Sequence, residues 1–190
     1  MKIALVIERM DPQRGGREVS TAQVAVALSR RGHEVTVLTL WSTEGERADA
    51  EALKQHCHRV VALPLPRWRP LWNCLRALPT STPLQAMYCW SPSLAREIAD
   101  RLSPIAYRSS PSAIGHQLSA ISHQPYDVIH IEHLRGARYG LNIQYPISNP
   151  QPPVIWDSVD CISLLFEQAL RMGPSLGSRL KAWLDLERTR

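Results

Sequence analysis

The chain has 190 residues, of which 44% are hydrophobic and 21% charged, and a formal net charge of +5. That balance fits one globular domain with a real core and excludes a highly charged disordered chain. No apolar stretch approaches the length that a membrane span needs. The cysteines (Cys57, Cys74, Cys89 and Cys161) are scattered without a C-x-x-C, so neither a zinc site nor a disulfide framework is indicated. With no signal-peptide pattern at its start, the chain reads as a cytoplasmic protein.

Ile3 to Ile7 is an unbroken apolar run, too short for a helix and suited to a strand buried on both faces of a parallel sheet. A turn containing Gly15-Gly16 follows, then a helix over about Glu18 to Arg31, rich in small residues that allow close packing on a sheet. Gly32 stands where a helix ends in a left-handed residue. Val35, Val37 and Leu38 open a second strand, Glu46 to His56 reads as a helix, and Arg59 to Leu65 reads as a third strand. The expected start is therefore β-α-β-α-β.

From Glu51 to Glu97 no acidic residue intervenes, while Lys54, Arg59, Arg67, Arg69, Arg76 and Arg96 fall inside, with Trp68, Trp72 and Trp90. Within that stretch Pro70 can begin a short helix and Pro79 end it. Leu71, Trp72, Leu75 and Leu78 share one helical face, bordered by Arg67, Trp68, Arg69 and Arg76. That face either packs on its own domain or meets an anionic membrane surface, where tryptophan and arginine suit the boundary of the bilayer. No nucleic-acid-binding motif accompanies the charge, so nucleic acid is not an expected partner.

Ser91 to Leu102 is a further helix, with Ser91 as cap and Leu94, Ile98 and Leu102 as its apolar stripe. Residues 103–123, rich in Ser, Pro and Ala, read as an insertion or loose loop around a helix resuming near Ile114 to Ile121. Tyr126 to Ile131 is a short buried strand continuing into Glu132-His133-Leu134-Arg135-Gly136. Val154 to Trp156 is the next strand, ending in Asp157-Ser158-Val159-Asp160. Helices over Ile162 to Arg171 and Leu176 to Arg190 close the chain without a terminator, so a following segment is expected.

Ligands of open α/β sheets bind at the C-terminal edge of the strands. Three polar strand ends would meet there: Gly15-Gly16, Glu132-His133-Arg135, and Asp157 to Asp160. Glycines give a ligand access to backbone N–H groups and the positive end of the next helix. Carboxylates and histidines there can orient or deprotonate a sugar hydroxyl. Each has a structural alternative. The glycines can serve a turn alone, Glu132, His133 and Arg135 a surface loop, and Asp157 a helix cap, while His130 can be a buried, hydrogen-bonded strand histidine. His130 and His133 point to opposite faces of a strand or fall in a loop, so no metal site is expected. A dinucleotide site is weakened by the missing G-x-G-x-x-G and by a second strand ending Leu38-Thr39-Leu40-Trp41 rather than in an acid.

At these residues the chain resembles family 4 glycosyltransferases of the GT-B fold. The resemblance is carried by Gly15-Gly16-Arg17-Glu18, by Arg31-Gly32-His33-Glu34-Val35-Thr36-Val37-Leu38-Thr39 and by Tyr126-Asp127-Val128-Ile129-His130-Ile131. The Glu132-His133-Leu134-Arg135 continuation and Asp157 to Asp160 look closest to a bacterial subgroup tied to exopolysaccharide loci. It implies one doubly wound, Rossmann-like parallel sheet over residues 1–190, the acceptor-side half of the architecture. The activity it implies is retaining transfer of sugar from a nucleotide-sugar donor to a glycan or lipid-linked acceptor, without metal or other cofactor. Gly15 and Gly16 would lie near the donor phosphates; Glu132, His133, Arg135, Asp157 and Asp160 would line the cleft. The family's second domain, with its nucleotide site and Glu-x7-Glu motif, has no counterpart in this sequence. The half-enzyme is therefore expected to be inactive unless a separate polypeptide supplies the donor domain. The rival expectation is a non-catalytic domain that binds an acceptor, a partner or the inner face of the plasma membrane.

Overall fold

The computed structural model describes residues 1–9, 17–102, 126–141, 143, 152–157 and 162–189. In chain order the elements are β1 (Lys2–Val6), α1 (Arg17–Arg30), β2 (Glu34–Trp41), α2 (Glu44–Leu53), β3 (Arg59–Pro64), α3 (Arg69–Ala77), α4 (Leu84–Tyr88) and α5 (Pro92–Leu102). They continue with β4 (Val128–Glu132), α6 (His133–Leu141), β5 (Val154–Asp157), α7 (Ile162–Met172) and α8 (Leu176–Thr189). The five strands form one sheet in the order β3-β2-β1-β4-β5, every pairing parallel. The architecture is α/β and Rossmann-like, with helices on both faces of the sheet.

Local chemistry sets the boundaries. At the end of α1, Gly32 adopts φ +83°, a conformation costly for a residue with a Cβ. Its N–H bonds the Ser29 carbonyl at 2.9 Å and the His33 N–H bonds Leu28 at 3.2 Å, the paired closure of a Schellman motif. The start of α2 is fixed by a capping box, in which Thr43 Oγ1 accepts from the Glu46 N–H and Glu46 accepts from the Thr43 N–H, both at 3.2 Å.

Strand alternation divides the core in two. Ile3, Leu5, Ile7, Val35 and Val37 pack under α1 and α2, with Ala25, Ala50 and Leu53. Ala4, Val6, Leu38, Leu40, Ile129 and Ile131 pack under α5 and α6, with Leu94, Ile98, Leu102 and Tyr139. Burying each such aliphatic side chain contributes about 1.5–3 kcal/mol, so the stripe of α5 is a substantial part of the second core.

Two helices depart from the sequence expectation. Glu132 to Gly136 is not a loop: Glu132 closes β4, and His133 begins α6 without an intervening turn. The helix carries Gly136 and Gly140, poor helix formers, because it lies against Ile131. A Cβ at Gly136 would stand 2.9 Å from Ile131 Cγ2, and one at Gly140 would stand 2.3 Å from its Cδ1. The short α4 had no expectation at all.

Helix α3 forms as expected, but its apolar face points outward. Leu71, Trp72, Leu75 and Leu78 are 45–76% exposed, whereas Pro70, Asn73 and Ala77 face the protein. Beyond β5, α7 and α8 pack on each other. Helix α8 touches the body where buried Asp185 accepts the Leu84 N–H at 2.8 Å and Arg188 donates to the Leu78 carbonyl at 2.8 Å. No helix among the described residues is long and apolar enough to cross a membrane.

Candidate functional site

Parallel strands place all their C-terminal ends on one edge, and the order reverses between β1 and β4. At such a reversal the connections leave toward opposite faces and open a crevice. Glu8, two residues beyond β1, and Glu132, the last residue of β4, are both buried there.

Each carboxylate is held by a helix that packs on its own face of the sheet. Thr21 Oγ1, on α1, donates to Glu132. Arg135 Nη1, on α6, donates to Glu8 Oε1 at 3.1 Å, while the same guanidinium lies 5.2 Å from the Tyr88 ring centroid. Arg9 pairs with Glu46, the N3 residue of the α2 capping box, so the exit of β1 is tied to the start of α2. Burial works against the Arg9 charge, but the hydrogen bond and charge of Glu46 override it and raise the pKa.

The bend from β4 into α6 is strained. Buried His133 takes φ +61°, the non-glycine left-handed residue among those described. A side-chain-bearing residue in that region costs of order 1–3 kcal/mol and persists only where its surroundings impose it. Trp156 from β5 contributes to that restraint, its Nε1–H donating to the His133 carbonyl at 3.1 Å.

Asp157 stands in register with Glu132 on the neighbouring strand. It is half-exposed, and its Oδ2 lies 3.9 Å from Nε2 of His130. His130 is thus a partly exposed member of the same edge rather than a buried strand residue. The structure accordingly brings Glu132, His133, Arg135 and Asp157 to one rim of the sheet. Gly15, Gly16 and Asp160 lie outside the described residues, as does 103–123. Arg67, Trp68, Arg69, Trp72 and Arg76 belong to the α3 region, a separate surface.

Sequence reasoning missed Glu8, Thr21 and Arg9. For Glu8 a signal existed: it is the first acid after the apolar run of β1, where a strand leaves the core at its ligand-binding edge. Thr21 and Arg9 carried none, since their partners are distant in sequence.

The chemistry available is that of carboxylates, an imidazole and a guanidinium. Nucleophilic cysteine catalysis has no support among the described thiols. Burial pushes Cys89 up to about 12, with Glu8 adding to the rise and Arg135 and Arg9 opposing it. Burial likewise raises Cys57 and Cys74. Among the described residues no group of three or more His, Cys, Asp or Glu side chains could hold a metal ion. Comparison with protein-family models, curated proteins and solved structures finds no match to this chain.

Proposed function

We propose that the β1–β4 reversal is the acceptor-side cleft of a GT-B sugar transferase of the exopolysaccharide type. The chain then supplies the N-terminal half of an enzyme that moves a sugar, with retention, from a nucleotide-sugar to a glycan or lipid-linked acceptor. The observation that carries this reading is the placement of two buried carboxylates, Glu8 and Glu132, at the ends of adjacent strands, with Arg135 on Glu8, Thr21 on Glu132 and the strained His133 next in the chain. Carboxylates so fixed can accept hydrogen bonds from sugar hydroxyls without reorganising, and an imidazole beside them can relay a proton. By the resemblance, Gly15 and Gly16 would lie near the donor phosphates. The nucleotide base and ribose would be held by a donor domain outside residues 1–190.

The isolated chain is expected to bind acceptor oligosaccharides by ligand-observed NMR and to leave UDP- and GDP-sugars unhydrolysed. Glu8→Gln with Glu132→Gln should weaken saccharide binding at least tenfold while far-UV circular dichroism is retained. Unchanged saccharide binding in that variant, or tight binding of NAD by the native chain, rejects the reading.

A second reading, a non-catalytic domain resting on the inner face of the plasma membrane, is favoured by the outward Leu71, Trp72, Leu75 and Leu78 of α3 with arginines alongside. The native chain should then float with phosphatidylglycerol vesicles and the Arg67→Glu, Arg69→Glu variant should not. Equal flotation of the two removes it.

A further inference from the structure

Helix α8 carries a second outward apolar stripe. Leu176, Leu180, Trp183 and Leu184 follow the i, i+4, i+7, i+8 spacing of one helical face. Leu176, Leu180 and Trp183 are 46–85% exposed. The other side of α8 holds it in the molecule: Ala182, Asp185 and Leu186 are buried, and Asp185 accepts the Leu84 N–H.

This stripe adjoins that of α3. Lys181, Leu184 and Arg188, at i, i+3 and i+7, form the next row of α8, and that row faces α3. Arg188 donates to the Leu78 carbonyl at 2.8 Å. Burial raises the pKa of the Cys74 thiol, and the nearby Lys181 charge opposes the rise. Cys74 and Leu78 are one turn apart on α3, with Leu71 and Leu75 beside them on the outward side. On α8 the outward neighbours of the Lys181 row are Leu176 and Leu180. The leucines of α3 therefore continue across the junction into those of α8 as one apolar surface. A contiguous exposed surface of that kind marks an interaction site.

Charge selects the occupant. Arg67, Arg69 and Arg76 border the surface on α3 and Lys181 stands at the junction. None of the four enters an ion pair among the described residues. Two copies of the chain meeting through this surface would bring these cations together. An anionic bilayer offers them headgroups instead, and offers acyl chains to the leucines and tryptophans. Exposed Glu187, one turn past Trp183, ends the α8 stripe.

We propose that α8 is the second contact of the membrane face, with Leu176, Leu180 and Trp183 entering an anionic bilayer beside Leu71, Trp72 and Leu75 of α3. The assignment rests on the membrane-facing reading of α3. It widens the footprint from one short helix to two, and it sets Glu187 at the headgroup level, where a negative charge opposes binding.

The test uses the full chain and vesicles of phosphatidylcholine mixed with phosphatidylglycerol. Leu176→Ser with Leu180→Ser should lower partitioning in flotation at least fivefold. Leu141→Ser, which removes the exposed leucine at the end of α6, should leave it within twofold. Glu187→Lys should raise partitioning at least threefold on these vesicles and leave it unchanged on phosphatidylcholine alone. Acyl-brominated phosphatidylcholine should quench the emission of the native chain more than that of Trp183→Phe, a readout that a purely structural role of α8 would not move. Native flotation with an unaffected Leu176→Ser, Leu180→Ser variant, or equal quenching in the two tryptophan variants, overturns the role of α8 and leaves that of α3 standing. Failure of the native chain to float overturns the membrane reading and this inference with it. A dimer in sedimentation that the α8 substitutions dissociate overturns the inference in favour of a second copy of the chain.

Discussion

Helices α3 and α5 carry almost the same pattern and face opposite ways. Leu94, Ile98 and Leu102 repeat along α5 and are wholly buried; Leu71, Leu75 and Leu78 repeat along α3 and are exposed. The difference lies on the other side of each helix. That of α5 carries Arg96, Glu97, Asp100 and Arg101, which cannot be buried cheaply, and Arg101 pairs there with Glu97. That of α3 carries Pro70, Asn73 and Ala77, small or self-satisfying groups that dock closely on the protein. Periodicity tells which residues share a face; the opposite face decides which of the two meets the core.

Truncation should separate the two stripes most sharply. Ile98→Ala leaves a cavity in a close-packed core and should cost about 2–5 kcal/mol in urea unfolding. Leu75→Ala should stay within about 0.5 kcal/mol. A Leu75→Ala cost as large as that of Ile98→Ala would mean that the α3 stripe is covered in solution.

The inward side of α3 can be broken next. Asn73→Leu keeps the number of side-chain heavy atoms but removes the amide that satisfies the Trp90 carbonyl, leaving a part-buried acceptor without that donor. A loss of about 1–3 kcal/mol is expected.

Helix α6 sharpens the point from another direction. Gly140→Ala improves helix propensity by about 1 kcal/mol, yet its Cβ would fall on Ile131 Cδ1, and overpacking costs about 1–3 kcal/mol. A net destabilisation of up to about 2 kcal/mol is expected. Ile131→Val, which deletes Cδ1, should recover most of it in the double variant.

The same two glycines explain why α6 was not legible in the sequence. Propensity reads Gly136 and Gly140 as loop signals, whereas here they permit close approach between helix and strand. By contrast, Gly32 was legible because its role is local: one residue's φ closes α1 whatever lies around it. Strands β1 to β3 and the stripe of α5 were legible for the same reason, each being a short-range pattern. The rim was half legible. Glu132, His133, Arg135 and Asp157 follow apolar runs, so parallel topology carries them to one edge. The Thr21 and Arg135 contacts join residues 111 and 127 positions apart, and no pattern in the chain announces them. For His133 the surface-loop alternative falls away, since it is buried at the start of α6.

The smallest effect expected is a pH response where α8 meets α4. Burial raises the pKa of Asp185, and the Leu84 and Gln85 N–H groups, Lys181 and Arg188 only partly offset it. A carboxyl whose folded pKa lies above its unfolded one disfavours the folded contact when ionised. At neutral pH the contact therefore carries that penalty, and the penalty is relieved as pH falls through the raised folded value toward the ordinary 3.8. Global acid unfolding of the chain masks this. The amide of Leu84 reports it locally. After correction for intrinsic exchange, its protection should rise on mild acidification in the native chain. Asp185→Asn, which keeps an acceptor for that N–H without a charge, should show higher protection at neutral pH and no such rise. Equal pH responses in the two chains would mean that α8 is held by Arg188 and its apolar contacts alone. The inward side of α3 would then be closed without any titrating latch.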